Sequence, residues 1–231
     1  MILKKLILVS FMSLNFCGEI VGQSDKTQGI VYYTYQLKKF GSEEEYMLKF
    51  SRNESVYMHH QEEHTITSPQ GYEITSPRKI YDWYLDSKKK LVVENEKKKD
   101  GKVVFAKFDG IPIEWEVQRE TKTIIGYQAQ KAIAKAHHFV KGKGTIEYGD
   151  AIAWFAIDLP FPSGPERFWG LPGLILEISF TKFIGVYTAN RIVFEPVSNL
   201  MPNQGSEVTK DILYKDQPWL GKARDLMNKD N

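Results

Sequence analysis

Cysteine is nearly missing from this chain: Cys17 stands alone among 231 residues. A disulfide framework is therefore excluded, and thiolate or iron–sulfur chemistry has no set of residues to run through. An excess of one charge sign is missing too. Lys and Arg number 31 against 29 Asp and Glu, a net charge of +2. Such balance gives no electrostatic case for a nucleic-acid partner. Beyond Val21 no stretch is apolar enough to cross a bilayer as a helix. Catalytic signatures of fixed spacing are also lacking. There is no Gly-x-Ser-x-Gly elbow and no His-Glu-x-x-His. Gly142-Lys143-Gly144-Thr145 lacks the upstream glycine spacing of a phosphate loop. Helix signals are sparse, with short helices expected only at Ser206–Tyr214 and Leu220–Asn228, around Pro218.

What is present begins with an export signal. Lys4 and Lys5 precede an apolar core, Leu6 to Phe16, too short to span a bilayer as a mature helix. Small residues follow, and cleavage is expected after Gly22, leaving Gln23 first. The signal then covers residues 1–22, and residues 23–231 form a single domain without cysteine or transmembrane helix. A lipoprotein site wants a small residue before its cysteine. Phe16 stands there, so lipid anchoring at Cys17 is not expected.

The rest of the chain is patterned mostly with period two. Val31, Tyr33, Tyr35 and Leu37 alternate with Tyr32, Thr34 and Gln36. Val56 and Met58 alternate with Ser55 and Tyr57, and Ile80 to Leu85 is rich in aromatics. Ile113, Trp115 and Val117 alternate with Glu114, Glu116 and Gln118, the pattern of a half-buried strand. A hairpin is expected from Lys90–Glu94 and Lys102–Phe108 around Asp100-Gly101. In a second, Glu120-Thr121-Lys122 separates the Trp115 strand from one beginning at Ile124. Ala151 to Ile157 is apolar on both faces and should lie deep, and Val186 to Phe194 reads as another strand. These patterns predict a mainly β fold: one domain on a large curved antiparallel sheet or partly open barrel, with few short helices. By analogy with periplasmic lipoprotein carriers, a helix is expected in the concavity.

The most distinctive segment is Gly164-Pro165-Glu166-Arg167-Phe168-Trp169-Gly170-Leu171-Pro172-Gly173-Leu174-Ile175-Leu176-Glu177-Ile178. Pro165 and Pro172 fix φ and remove donors, while Gly164, Gly170 and Gly173 permit tight or left-handed backbone, so the segment reads as a rigid loop. A strand follows, with Leu174, Leu176, Ile178 and Phe180 on one face and Ile175, Glu177 and Ser179 on the other. Upstream stand Trp115-Glu116-Val117, Lys122-Thr123-Ile124-Ile125-Gly126-Tyr127, Lys131-Ala132 and Ala153-Trp154-Phe155 before Leu159-Pro160. With Gly-Leu-Pro-Gly-Leu-Ile at 170–175, this order resembles the GLPGLI family over residues 113–180. The resemblance implies an exported protein of a Gram-negative bacterium, periplasmic or extracellular, and no established reaction. Many relatives carry a cysteine after the Gly-Tyr, where this chain has Ala129.

Several residues are candidates for chemistry. His59-His60 with His64, and the pair His137-His138, could hold zinc or copper if strands brought them together. Adjacent histidines point to opposite faces of a strand, however, and solvated strand-end residues account for them better. Glu114 and Glu116 read as solvated outer-face residues. Asp150, Asp158 and Glu166 lie near the signature segment, and Glu177 is expected to pair with Arg167 or Arg191. Lys88-Lys89-Lys90 and Lys97-Lys98-Lys99 flank the first hairpin, where they suit an anionic membrane surface or simply keep a sheet edge soluble. Most of Tyr81, Trp83, Tyr84, Trp115, Trp154, Phe155, Phe161, Phe168 and Trp169 should be core.

The leading expectation is a non-enzymatic exported envelope-accessory or binding protein that uses no cofactor and takes a hydrophobic small molecule. Arg167, Phe168, Trp169 and Leu171 would form an exposed or half-exposed contact surface, and Gly164, Pro165, Gly170, Pro172 and Gly173 would shape the loop. One alternative is docking to an outer-membrane transporter or secretion component through that loop. The other is a metal site or enzyme built on the histidines.

Overall fold

Alternating apolar residues become strands almost everywhere that the pattern has period two. The computed structural model describes residues 26–37, 42–67, 71, 73–76, 79–140, 145–181, 185–198, 200–202 and 204–214, apart from the side chains of 42, 66, 74, 76, 136–140 and 145–148. The expected signal at 1–22, the Gly142-Lys143-Gly144 stretch and the expected helix at Leu220–Asn228 lie outside the described residues. The strands are β1 (Gly29–Leu37), β2 (Ser42–Phe50), β3 (Glu54–Gln61), β4 (His64–Thr67), β5 (Glu73–Ser76), β6 (Lys79–Asp86), β7 (Leu91–Lys97), β8 (Val103–Asp109), β9 (Glu116–Ile124), β10 (Tyr127–Val140), β11 (Thr145–Ala156), β12 (Leu174–Phe180), β13 (Gly185–Val193) and β14 (Ser206–Glu207). One turn of helix, α1 (Lys210–Leu213), follows.

Twelve strands form one sheet in the order β14-β8-β7-β6-β3-β2-β1-β13-β12-β11-β10-β9, and β4 and β5 pair separately. The sheet is antiparallel except where β14 runs parallel to β8. Its curvature follows from chain length. The link 110–115 joins β8 to β9, which lie ten positions apart in the sheet. A flat sheet would separate them by about 48 Å at ~4.8 Å per strand, yet the seven Cα steps from Asp109 to Glu116 reach at most about 25 Å. The sheet therefore curls into a trough whose edges approach without closing into a barrel.

The inner face of the trough carries the main core. Tyr33, Leu48, Phe50, Tyr57, Leu85, Phe155, Leu174 and Ile178 belong to one buried cluster that reaches from Val92 on β7 to Ile124 on β9. A smaller cluster, Val56, Tyr84, Val93 and Leu200, lies on the other face. Val56 and Tyr57 alternate along β3, so this strand is buried on both sides.

No helix fills the concavity among the described residues. The loop between β11 and β12 does. Leu159, Phe161, Phe168, Trp169 and Leu171 are all buried within the main cluster. Backbone bonds tie this plug to the start of β12: Leu174 N–H donates to Leu159 O at 2.8 Å and Ile175 N–H to Ser163 O at 2.9 Å. Ser163 Oγ meets Ser55 Oγ at 2.9 Å, and Tyr33 Oη donates to Ile175 O at 2.7 Å. Gly170 has φ +102, and a side chain there would press on the backbone of Ile113.

Further expectations change. Ile113 and Trp115 are half-buried but lie before β9, and Val117 is 48% exposed, since β9 is the outermost strand and has little covering it. That strand runs unbroken through Glu120-Thr121-Lys122, and the turn comes at Ile125-Gly126, both with positive φ. On β12 the strict alternation fails. A register shift opposite Trp154/Phe155 leaves an extra residue on β12, so Leu174, Ile175 and Leu176 are all buried. Ser206–Tyr214 begins as β14 before its single helical turn. The hairpin of β7 and β8 around Gly101 and the strand at β13 form as expected. Ala151, Ala153, Phe155 and Ala156 are buried, but Ile157 is exposed.

Candidate functional site

Register places a polar patch on the inner face, at the mouth of the trough beside the plug. Tyr35 is paired with Tyr187 of β13 on one side and with Glu44 of β2 on the other. Two residues along, Tyr33 is paired with Tyr46. His59 of β3 lies directly opposite Tyr81 of β6. Its ring is stacked between Tyr46, at 4.5 Å, and Tyr81, at 4.7 Å. Tyr57 stands edge-on to Tyr187 at 6.4 Å. Residues two apart on a strand share a face, so these separate sequence positions form one surface.

Into this surface the plug inserts Glu166. Its backbone is left-handed, at φ +56, a conformation that costs a non-glycine residue about 1 kcal/mol or more. Tyr81 Oη donates to both carboxylate oxygens at 2.7 Å, and Tyr187 Oη donates to Oε1 at 3.0 Å. His59 Nδ1 lies 3.7 Å from Oε1, while its Nε2 is 3.3 Å from Gln61 Oε1. Burial works against ionisation of Glu166. The His59 contact and charge, then Lys79 and the Tyr81 hydroxyl, outweigh it and hold the carboxyl at about 2, down from 4.5. Burial first, and the Glu166 charge among other causes, push Tyr57 and Tyr187 well above the usual tyrosine range. General acid–base work favours groups poised near the operating pH. Glu166 and these tyrosines are displaced from neutrality in opposite directions.

The site is rich in donors that lack acceptors. Among the described residues Tyr57 Oη, His59 Nδ1 and Arg167 Nε are shut off from water and have no hydrogen-bond partner, although His59 Nδ1 faces Glu166 Oε1 at 3.7 Å. Such a group costs about 1–3 kcal/mol unless something satisfies it. All three residues adjoin Glu166 or feel its charge. Arg167 is half-buried and, among the described residues, makes no ion pair within 4 Å.

A pH dependence follows from Glu166. Its folded pKa lies below the ordinary value, so its stabilisation is complete above pH 4.5 and is lost as pH falls through about 2. The shift is worth about 3 kcal/mol. Urea unfolding of wild type and Glu166→Gln should show their stability difference shrinking between about pH 5 and pH 2.5. A difference that stays constant over that range overturns the assignment.

The expected contact surface is not presented. Phe168, Trp169 and Leu171 are 4%, 5% and 1% exposed, because their apolar area gains more from the core than from water. Of that set only Arg167 is half-buried, with its guanidinium 5.8 Å from the centre of the Phe168 ring. Glu177 pairs with Lys122 at 2.7 Å, rather than with Arg167 or Arg191, because Lys122 lies across β10 and β11 on the outer face, over the Trp154 ring at 4.4 Å. Arg191 instead lies over Tyr32, at 3.8 Å. His59 is buried and His60 exposed, on opposite faces of β3; His60 meets Asp82 at 2.7 Å, and His64 meets Glu44 at 3.0 Å. The side chains of His137 and His138 lie outside the described residues. Among the described residues no three His, Cys, Asp or Glu gather as a metal would need.

Sequence reasoning missed the convergence of Glu166 with Tyr35, Tyr46, Tyr57 and Tyr187. The alternation of Tyr33 and Tyr35 was the available signal, but it carries no register. Residues 115–177 match the model of a family described as a protein of unknown function (Porph_ging), a span that holds the plug, Glu166 and Arg167. No curated protein matches the chain. Two solved structures of PNGF-II, in C2 and P21 space groups, resemble it in fold with TM-scores of 0.58 and 0.55, at 15% identity in each case. They cover 84% of this chain but 33% and 34% of their own, so the chain spans about a third of the length of PNGF-II.

Proposed function

We propose that this is an exported, non-catalytic binding protein of the cell envelope, with its ligand site at the tyrosine-lined mouth around Glu166 and Arg167. The observation that carries the reading is the set of buried polar atoms without a hydrogen-bond partner among the described residues, on Tyr57, on His59 facing Glu166, and on Arg167 next to Glu166 in sequence. Proteins rarely leave such groups unsatisfied without a functional reason or a bound molecule. Export is supported by Lys4, Lys5 and the short apolar core after them, and by the GLPGLI resemblance of residues 113–180. A hydrophobic ligand in the trough would have to displace Phe161, Phe168, Trp169 and Leu171, which already fill it. Docking to an outer-membrane component through the same loop would use Arg167 and the exposed Asp158, Pro160, Gly170 and Pro172 rather than Phe168 or Trp169.

Expression of the full chain in a Gram-negative host, followed by fractionation and N-terminal mass analysis, tests export. Mature protein beginning at Gln23 outside the cytoplasm is expected, and an uncut cytoplasmic chain overturns it. A polar extract of the envelope should raise the melting temperature of wild type but not of Arg167→Met. No rise in wild type overturns the binding reading.

A further inference from the structure

The end of the trough away from Glu166 carries a separate cleft. Glu54 and Asp86, a cross-strand pair, lie five residues along β3 and β6 from the His59–Tyr81 pair, about 17 Å away at ~3.4 Å per residue. There the β2–β3 and β6–β7 turns border a cavity of about 510 Å³, within the range of about 300–1,000 Å³ usual for small-molecule sites. Every residue lining it is polar or charged, and Arg52, Lys88 and Lys89 bring cations to it. The turns are braced. Asn53 O accepts from Ser87 N–H at 2.8 Å and from Ser87 Oγ at 2.9 Å. Gly110 N–H donates to Lys90 O at 2.6 Å, and Lys90 is left-handed at φ +52, a backbone state that persists only where its surroundings enforce it. Asp86, 3% exposed, accepts from Lys89 N–H at 2.9 Å and meets its Nζ at 2.8 Å, so Lys89 is already neutralised. Arg52 and Lys88 are exposed and make no ion pair among the described residues. Glu54 Oε1 accepts from Tyr84 Oη at 2.6 Å, and its Oε2 has no bond among the described residues.

We propose that this cleft binds a phosphate monoester on a hydroxylated body, a sugar phosphate that is either free or the head of a lipid. Arg52 and Lys88 are two unpaired cations on one cavity, and a phosphate monoester carries nearly two negative charges at neutral pH. The Arg52 fork matches the phosphate oxygens, and Lys88 adds a point charge. Glu54 Oε2 and the Asn53 side-chain carbonyl are acceptors for the O–H donors of a sugar. A bare phosphate would leave most of the cavity to water.

Calorimetry of the full chain with glucose 6-phosphate, glucose and inorganic phosphate at equal ionic strength tests the free ligand. Glucose 6-phosphate should bind saturably and glucose should not. Co-sedimentation with phosphatidylcholine vesicles carrying phosphatidylinositol 4-phosphate tests the lipid head, with phosphatidylserine vesicles of equal charge as the control. Arg52→Met and Lys88→Met, at exposed positions, should keep the fold and weaken binding at least about tenfold each. Arg167→Met should bind as wild type. Binding of the soluble probe alone assigns a free sugar phosphate, and binding of the inositol-phosphate vesicles alone assigns a lipid head. Affinity unchanged in both cleft variants, or lost in Arg167→Met, overturns the assignment to this cleft. Equal affinity for inorganic phosphate, or for phosphatidylserine vesicles, overturns the sugar phosphate. Binding of neither probe overturns the proposal, while an Arg167-dependent response to the polar envelope extract would still stand for the mouth.

Discussion

Gly173→Ala is expected to yield little or no folded protein. A Cβ on Gly173 would lie 2.1 Å from the carbonyl oxygen of Ala156 and 2.7 Å from its carbon. Both are backbone atoms of the strand that β12 must join, so no side chain can move aside. The start of β12 would have to retreat, giving up the Ala156–Leu174 pairing and the Leu174 and Ile175 bonds to the plug. A cost above about 4 kcal/mol is expected, most of the stability of an ordinary domain. Gly126→Ala is the control. It has positive φ but open space around it, and should cost only about 1 kcal/mol. Soluble yield and urea midpoints decide the matter, and a Gly173→Ala midpoint close to wild type would sink the packing argument.

Trp169→Ala should cost about 3–5 kcal/mol, the usual penalty for emptying a large aromatic site in a core. The indole is 5% exposed and belongs to the main cluster. The Trp115 Nε1 bond to the Trp169 carbonyl, at 2.9 Å, is to backbone and can survive the truncation. Trp169→Phe should therefore recover much of the loss. If Trp169 were a partner-facing contact instead, Trp169→Ala would unfold at the wild-type urea concentration and lose only binding. Unfolding midpoints at constant m separate the two outcomes.

The β class could be read from residues such as Val31, Tyr33 and Tyr35, because alternation reports local backbone and one buried face. The loop character of 164–173 could be read as well, since proline and glycine act locally. The location of that loop could not. Phe168 and Trp169 announce large apolar area, but whether a partner or the chain's own trough covers it depends on the curl of the whole sheet. Among the described residues no helix stands in the concavity, for the same reason. Nothing local shows that a loop of this composition fills the space first.

The candidate site was less legible still. His59, Tyr81, Tyr187 and Glu166 come from β3, β6, β13 and the plug, as far as 128 positions apart in sequence. Sequence by itself determined the strand pattern, the rigid signature loop, the near absence of thiols and the opposite facing of His59 and His60. All of these follow from bonding and sterics between near neighbours. Only the tertiary structure decided that Trp169 is core, that Glu177 pairs with Lys122, and that Glu166 meets a wall of tyrosines. Those outcomes depend on cross-strand register and sheet curvature, which the contacts of the entire fold set together.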